Sequence, residues 1–327
     1  MTTNKRRRRR PQVNTRQRRN KRLPTLDLRQ KQLSHLHCSP VAEKKGHLPG
    51  SCFGTDTVLE MRDAYNEIHR DGKDGGIVES DPVQVHRALK TRLADKCGDN
   101  EECWLKETIS NDQRRKDLDK TLFSPSKPSD WQKDPTRWLS NFDIEAVLKQ
   151  YEEAYPEFKL LGPTVLDYDA KLGDGACVDD DLCHFSLDSW IQRGKTKLAV
   201  SFNLSKHDEP GTHWTTLFID VANKLVYYYD SALNPMPSQI NKFKKTVLRQ
   251  GKRLGIAFQF HKNNHQHQKT NTECGMYSLF FTIVMLTGKI STTSNTVMEP
   301  KECVRIFSQM IIPDHVMQDH RSVYFSD

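Results

Sequence analysis

The 327-residue sequence has no run of apolar residues long enough to cross a bilayer. A membrane-spanning helix needs about 18 or more such residues in succession. The most apolar segment, residues 279–286, is far shorter. The arginine-rich start is not followed by an apolar region, which argues against a secretory signal. We therefore expect no membrane span and no membrane partner.

Cysteine shows no regular spacing. Such irregularity in a long chain favours free thiols in a reducing compartment over a disulfide framework. A disulfide between Cys97 and Cys103 is an alternative, but two core thiols are the simpler interpretation. Cys177, Cys183 and His184 flank an acidic loop that offers metal-ligand chemistry, although a solvated acidic loop explains it as well. We predict no metal site and no cofactor. The eight cysteines are at positions 38, 52, 97, 103, 177, 183, 274 and 303.

Acidic residues are absent from residues 1–22, which contain eleven of the 50 Lys and Arg residues. The rest of the chain carries 39 basic and 42 acidic residues, a net charge of −3, so the overall +8 comes from this arm. The arm also lacks apolar periodicity, which predicts disorder. It suits contact with nucleic acid or an acidic partner, nuclear import, or a neutral extension. Its candidate nucleic-acid-binding residues are Arg6, Arg7, Arg8, Arg9, Arg10, Arg16, Arg18 and Arg19.

The remaining chain divides by composition into three parts. Proline and glycine interrupt residues 23–50, which we interpret as a linker. Residues 51–125 form a helical N-terminal region, with helices starting near Thr55 and Pro82. Pro125, Pro128 and Pro135 mark the junction with residues 126–327, a proposed catalytic domain. No internal repeat is visible, and nothing in the sequence indicates an oligomeric state.

The segment His265–Leu286 is the most informative one. A polar run ends at Glu273-Cys274-Gly275, and a largely apolar helix follows at once. A thiol in the first turn of a helix lies near the positive end of the dipole and unpaired N–H groups, which favour the thiolate. Cys274 is therefore a candidate nucleophile, although most buried cysteines only pack as small apolar residues.

A base for this thiol is suggested by a predicted hairpin. His213 opens one strand, residues 213–220, and Asp230 closes the next, residues 225–230. Two antiparallel strands bring these ends together, so the imidazole can take the thiol proton while the carboxylate fixes the ring. Gln268 lies six residues before Cys274 and can donate to an oxyanion. His207, His265 and His267 are the alternative bases. Further strands near 198–204 and 255–260 and a helix near 237–250 complete a sheet packed by helices.

These residues resemble the SUMO-protease and adenovirus-protease superfamily of cysteine peptidases. The order His213, Asp230, Gln268 and Cys274 matches. The spacings also match: seventeen positions from His213 to Asp230 and six from Gln268 to Cys274. The segment beginning Trp138-Leu139-Ser140-Asn141 is similar to a signature of the SUMO-protease branch, which has Asp where this chain has Asn141. Further phrases, among them Gly211-Thr-His-Trp214, are similar to the proteases of large cytoplasmic DNA viruses.

The resemblance implies an α+β fold with a papain-like-derived core: a central mixed sheet packed by helices, and the nucleophile at a helix N-terminus. It implies that Trp138 and Trp214, with Asn141 beside them, form a slot that admits the Gly-Gly segment of a protein substrate, since a methyl group in a rigid slot costs about 1–3 kcal/mol. The alternative is that the two tryptophans are core aromatics.

Three functions compete at this stage. The first is a maturation protease that cuts viral structural polyproteins after Gly-Gly and acts in the virion and the host-cell cytoplasm, at the virus factory. The second is an enzyme that removes ubiquitin-like proteins, which also end in Gly-Gly. The third is a non-catalytic nucleic-acid-binding virion protein, against which the intact set of Cys274, His213, Asp230 and Gln268 argues.

Overall fold

The computed structural model describes residues 23–26, 37–70, 75–290 and 296–326. Its N-terminal part is helical, and four of the helices begin at a capping side chain: Ser39, Asp81, Asn100 and Asn111 accept hydrogen bonds from the first turns. These helices enclose an apolar cluster of their own, from Ala42 to Phe123. They are α1 (Pro40–Lys45), α2 (Thr55–Ile68), α3 (Pro82–Cys97), α4 (Glu101–Thr108) and α5 (Asp112–Leu122).

A mixed five-stranded sheet follows, with its strands in chain order. The outer pairs β1–β2 and β4–β5 are parallel, and the inner pairs are antiparallel. Three strands lie where the sequence predicts them. The last begins four residues late because the chain still turns at Gly255, whose φ is +75°. The strands are β1 (Phe158–Val165), β2 (Lys197–Asn203), β3 (Trp214–Asp220), β4 (Leu225–Tyr229) and β5 (Gln259–Lys262).

Helices cover both faces of this sheet. Side chains alternate along a strand, so Phe218 and Tyr227 face one apolar cluster whereas Leu217 and Val226 face another. The first face packs against α6 (Asn141–Ala154), α10 (Cys274–Thr287), α11 (Pro300–Gln309) and α12 (Asp314–Tyr324). The second packs against α8 (Leu187–Gln192) and α9 (Ser238–Arg253), and α7 (Asp180–Cys183) lies in the loop before them. The expected α+β architecture is confirmed.

The expectation of free thiols is wrong for six cysteines. Disulfides join Cys38 to Cys52, Cys97 to Cys103 and Cys177 to Cys183, with Cα separations of 5.1, 5.5 and 6.3 Å. The turn between α3 and α4 and the loop around α7 bring the last two pairs together, which spacing alone does not reveal. Cys274 and Cys303 are free.

The segment 37–50, interpreted from sequence as part of a linker, contains α1 and packs into the N-terminal cluster through Ala42. Leu26 belongs to the cluster under the sheet, and its amide donates to the carbonyl of Ile311. Among the helices that the structure describes, none is long and apolar enough to cross a bilayer.

Candidate active site

Cys274 is the first residue of α10, the most apolar helix of the fold. Every side chain from Cys274 to Leu286 is buried, which fixes the helix beneath the sheet and holds the thiol at its N-terminus. The other free thiol, Cys303, donates to the carbonyl of Val284, and burial raises its pKa to about 11. Cys303 is therefore a packed core residue rather than a second nucleophile.

His213 connects this thiol to a carboxylate. Its Nε2 lies 2.7 Å from Oδ1 of Asp230, and the ring also hydrogen-bonds to the Cys274 side chain. The β3–β4 hairpin provides this geometry, because Thr216 pairs with Tyr229 and leaves the two residues at neighbouring strand ends. The sequence prediction of this juxtaposition agrees with the structure.

Asp230 is buried and held by the backbone around it. The amides of Ala232 and Asn234 donate to its two carboxylate oxygens at 2.9 and 3.0 Å. Asn263 bonds both the amide and the carbonyl of Asp230. These contacts fix the orientation of the carboxylate toward the imidazole.

The pKa of His213 reflects opposing effects. Burial acts to lower it, but the hydrogen bonds with Asp230 and Cys274 and the charges on both outweigh burial and raise the pKa to about 9. The ring is thus suited to hold the proton that the Cys274 thiol gives up when it becomes a thiolate.

Gln268 is positioned by Ser231, the residue after Asp230. The Ser231 hydroxyl donates to Gln268 Oε1 at 2.7 Å, and the backbone N–H of Gln268 donates to the Ser231 carbonyl at 3.0 Å. Because the carbonyl end of the side chain is used in this way, its NH₂ group remains the end that can donate to an oxyanion.

The three alternative histidines have other partners. His267 is fully buried and bonds the Phe307 carbonyl and the Ile312 amide, and burial and His265 lower its pKa to about 3. His265 bonds the carbonyl of Met310. His207 lies 2.7 Å from Asp167 and lines the neighbouring cleft. None of the three is paired with the Cys274 thiol in the part of the chain that is described.

The predicted substrate-binding residues Trp138, Trp214 and Asn141 line one cavity of about 420 Å³. Trp138 is 40% exposed whereas Trp214 is 5% exposed. Asn141 begins α6, after a capping box in which Ser140 and Asp143 bond each other. A larger cavity of about 620 Å³ lies between α5 and α6 and is lined by none of the predicted site residues.

Trp138, Leu139 and Trp214 form one wall of the 420 Å³ cavity, here called the cleft wall, and this wall contacts α10 directly. The Trp214 indole N–H donates to the Leu139 carbonyl at 3.0 Å. A Cβ added to Gly275 would lie 2.9 Å from the Leu139 Cβ, closer than side chains tolerate. The glycine after Cys274 is therefore required for close approach of the wall to the helix.

A buried ion pair beside the nucleophile was not predicted. Arg321 on α12 contacts Glu273 at 3.0 Å, and both side chains are more than 90% buried. The same guanidinium donates to the carbonyls of Thr136 and Arg137, just before Trp138. One side chain thus links the turn at Cys274 to the cleft wall. The two residues are 48 positions apart in the sequence, so no local pattern predicts the pair.

Two other sets of predicted residues lie outside this site. Cys177, Cys183 and His184 have donor atoms within 4.8 Å of one another, but the two sulfurs form a disulfide. The arm arginines 6–10, 16, 18 and 19 fall outside the described residues.

A thiol at a helix N-terminus, bonded to an imidazole that a buried carboxylate orients, defines the class: a cysteine peptidase. The family model described as "Ulp1 protease family, C-terminal catalytic domain" matches residues 199–317. The chain is thus a cysteine peptidase that matches the Ulp1 catalytic-domain model over part of its length and is similar to viral proteases.

Two viral relatives and one solved structure illustrate the similarity. A thiol protease of Acanthamoeba polyphaga mimivirus is 28% identical over 287 residues, which cover 83% of this chain and 92% of that protein. A cysteine protease of African swine fever virus is 23% identical over 178 residues, 52% of this chain and 65% of that protein. The crystal structure of the African swine fever virus protease matches with a TM-score of 0.54 at 19% identity, and the match covers 90% of this chain and 96% of that one. This last match shows a shared fold.

Proposed function

We propose that the protein is an endopeptidase that cleaves viral structural polyproteins after Gly-Gly during virion maturation. The observation that supports this most directly is the imidazole of His213, bonded to both Asp230 and Cys274, beside a cleft lined by Trp138 and Trp214. The similarity to proteases of two viruses supports the viral setting.

In the proposed reaction, His213 takes the Cys274 proton, and the sulfur attacks the scissile carbonyl. The NH₂ group of Gln268 and the backbone N–H of Cys274 hold the oxyanion. Protonated His213 then gives its proton to the leaving amine, which leaves a thioester on the sulfur. Water, deprotonated by the same ring, hydrolyses that thioester and restores the thiol. Asp230 orients the ring throughout.

Glycine selectivity follows from the wall of the cleft. Trp214 is nearly buried and its indole is hydrogen-bonded, so it cannot swing aside to admit a side chain. A methyl group forced into such a slot costs about 1–3 kcal/mol, or roughly 5- to 150-fold in rate. Asn141 at the start of α6 lies where it can contact the substrate backbone.

A paired-peptide assay tests this function. The protein should cleave a Gly-Gly-x peptide from a structural polyprotein at least several-fold faster than the matched Gly-Ala-x peptide. Cys274→Ala and His213→Ala should each abolish cleavage and leave the circular dichroism spectrum unchanged. Near-normal turnover by either variant would contradict the assigned roles, and equal rates on the two peptides would contradict the slot.

The second candidate function is removal of ubiquitin-like proteins. African swine fever virus relatives named as SUMO-1 cysteine proteases, and the Ulp1 description of the matched domain, favour it. A SUMO-type conjugate assayed beside the polyprotein peptide separates the two functions. Efficient release from the conjugate with no cleavage of the polyprotein site would favour deconjugation.

The roles of the remaining parts are also proposals. The division into an arm (1–22), a linker (23–50), a helical region (51–125) and a catalytic domain (126–327) stays a proposal. The separate apolar cluster supports a distinct helical region, but it begins at Ala42, so residues 37–50 pack with that region rather than forming a linker. The arm's charge supports sequence-independent contact with nucleic acid.

A further inference from the structure

Helix α9 has six basic residues and no acidic one. Five of the six are exposed and fall at relative positions 0, 3, 7, 10 and 11 along the helix. At 3.6 residues per turn these five project within an arc of about 100°. They form one stripe rather than a ring of charge, and they are Lys242, Lys245, Arg249, Lys252 and Arg253.

The core holds this stripe in a fixed orientation. Ile240, Phe243 and Val247 lie on the opposite side of α9 and pack into the apolar cluster on the second face of the sheet. The nucleophile's helix α10 packs on the first face. The stripe therefore points away from the sheet on the side remote from α10 and cannot turn inward.

Most of this charge is not neutralised. Lys242 pairs with Asp169 at 2.5 Å. Across residues 23–26, 37–70, 75–290 and 296–326, no carboxylate forms an ion pair with Lys245, Arg249, Lys252 or Arg253. Another lysine, Lys262 on β5, adds positive charge near the same helix, since repulsion from Lys245 and Lys262 reinforces burial in lowering the pKa of Lys244.

We propose that Lys245, Arg249, Lys252 and Arg253, here called the α9 stripe, bind the phosphate backbone of nucleic acid. The first three follow the helix axis at separations of about 6 and 4.5 Å, from a rise of 1.5 Å per residue. A line of cations suits a linear polyanion, which in duplex DNA carries a charge about every 1.7 Å. The contact is independent of base sequence, because the stripe offers only phosphate-binding side chains.

Other anionic partners fit this surface less well. A small anion or a single carboxylate is enclosed by a concave site, whereas the stripe is a convex ridge. A helix that binds a membrane surface inserts its apolar face into the headgroup region, but the apolar face of α9 is buried in the protein core.

The test uses the full chain and a random-sequence DNA duplex, with affinity measured by fluorescence anisotropy between 50 and 300 mM NaCl. Log affinity falls with log salt, and the triple variant Lys245→Glu, Arg249→Glu, Lys252→Glu should reduce the steepness of this fall by about 3. Loss of three phosphate contacts should weaken binding on the order of a hundredfold at 0.1 M salt. Cleavage of a short peptide should be unchanged, which also reports that the variant is folded.

A matched control changes the same net charge elsewhere. Arg92→Glu, Lys116→Glu, Lys120→Glu alters three exposed side chains of α3 and α5, and it should leave the slope within about 1 of the wild-type value. A full chain with the eight arm arginines changed to Gln separates the two contacts. DNA binding by this arm variant should still weaken with rising salt, and adding the triple Glu change of α9 should remove that dependence.

Three results would overturn the proposal. One is an unchanged slope in the α9 variant, and another is an equal loss of affinity in the control variant. The third is an α9 variant that no longer binds phosphatidylserine vesicles but still binds DNA like the wild type, which would identify a membrane surface as the ligand instead. A milder triple change to Gln at the same positions should lower the slope similarly, so a folding defect in one variant does not leave the question open.

Discussion

The Asp230→Asn variant tests the electrostatics of the site most directly. The wild-type ring has its Nε2 bonded to the carboxylate and its other nitrogen toward the thiol. An asparagine amide that donates to Nε2 forces the ring proton onto the nitrogen that faces Cys274, where it blocks proton transfer. In a triad altered in this way the rate falls by about 10⁴. We expect a loss of that order here.

The magnitude can be worked from the pKa of His213. The bonded ring titrates at about 9 rather than 6.5, which at about 1.4 kcal/mol per unit is roughly 3 kcal/mol in favour of the protonated ring. Wild-type activity should therefore persist to about pH 9 and fall above it, as the imidazolium loses its proton. Without the carboxylate, burial dominates, and the alkaline limb should move down by two units or more.

Stability should follow the same sign. A raised pKa in the folded state contributes stability that is complete below pH 6.5 and is lost as the pH rises through 9. The difference in unfolding free energy between wild type and Asp230→Asn should thus shrink by up to roughly 3 kcal/mol between pH 6 and pH 10.

The assay is kcat/KM on a Gly-Gly reporter from pH 5.5 to 10, with urea unfolding at the two extremes. Asp167→Asn is the matched control, because Asp167 lies at the same 2.7 Å from His207. In this control, the fall of kcat/KM at high pH should stay at about pH 9, whatever the effect on KM. If the limb of Asp230→Asn also stays near 9, the carboxylate is not what raises the pKa of His213, and the reasoning fails.

Three further predictions concern the surroundings of the thiol. Gln268→Ala should lower kcat by roughly a hundredfold or more through loss of one oxyanion donor, and an unchanged kcat would remove this residue from the site. Gly275→Ala should force Leu139 to move, raise KM for the Gly-Gly peptide and destabilise the fold by about 1–3 kcal/mol in urea unfolding; an unaltered KM would separate the wall from the helix. Arg321→Ala leaves Glu273 buried and unpaired, so it should destabilise by about 3–5 kcal/mol. The double change Glu273→Gln, Arg321→Met should recover much of that loss, and a double variant no more stable than Arg321→Ala would argue against the ion pair as the cause.

The sequence predicts the site best where local pattern determines geometry. A polar loop before a long apolar run places Cys274 at the start of α10. A turn between two runs of β-forming residues brings His213 beside Asp230, because the register of an antiparallel hairpin follows from its turn. Local pattern alone does not place Gln268 in the site, because its contact with Ser231 joins residues 37 positions apart. Only the spacing that it shares with related proteins predicts its role.

Long-range packing accounts for what the sequence did not predict. Strand β1 pairs in parallel with β2, and its burial is irregular along the strand, so no clean alternation marks it. The Glu273–Arg321 pair and the contact of Leu139 with Gly275 join segments distant in the chain. The disulfides depend on how α3, α4 and the α7 loop turn, which irregular cysteine spacing does not encode.

The contact between Leu139 and Gly275 has a consequence for changing what this enzyme cuts. Any larger or repositioned residue at 139 presses on the turn that presents the sulfur, so broader specificity and reaction rate are mutationally coupled. Directed evolution toward bulkier substrates should therefore recover paired changes on the wall and the α10 turn far more often than single ones.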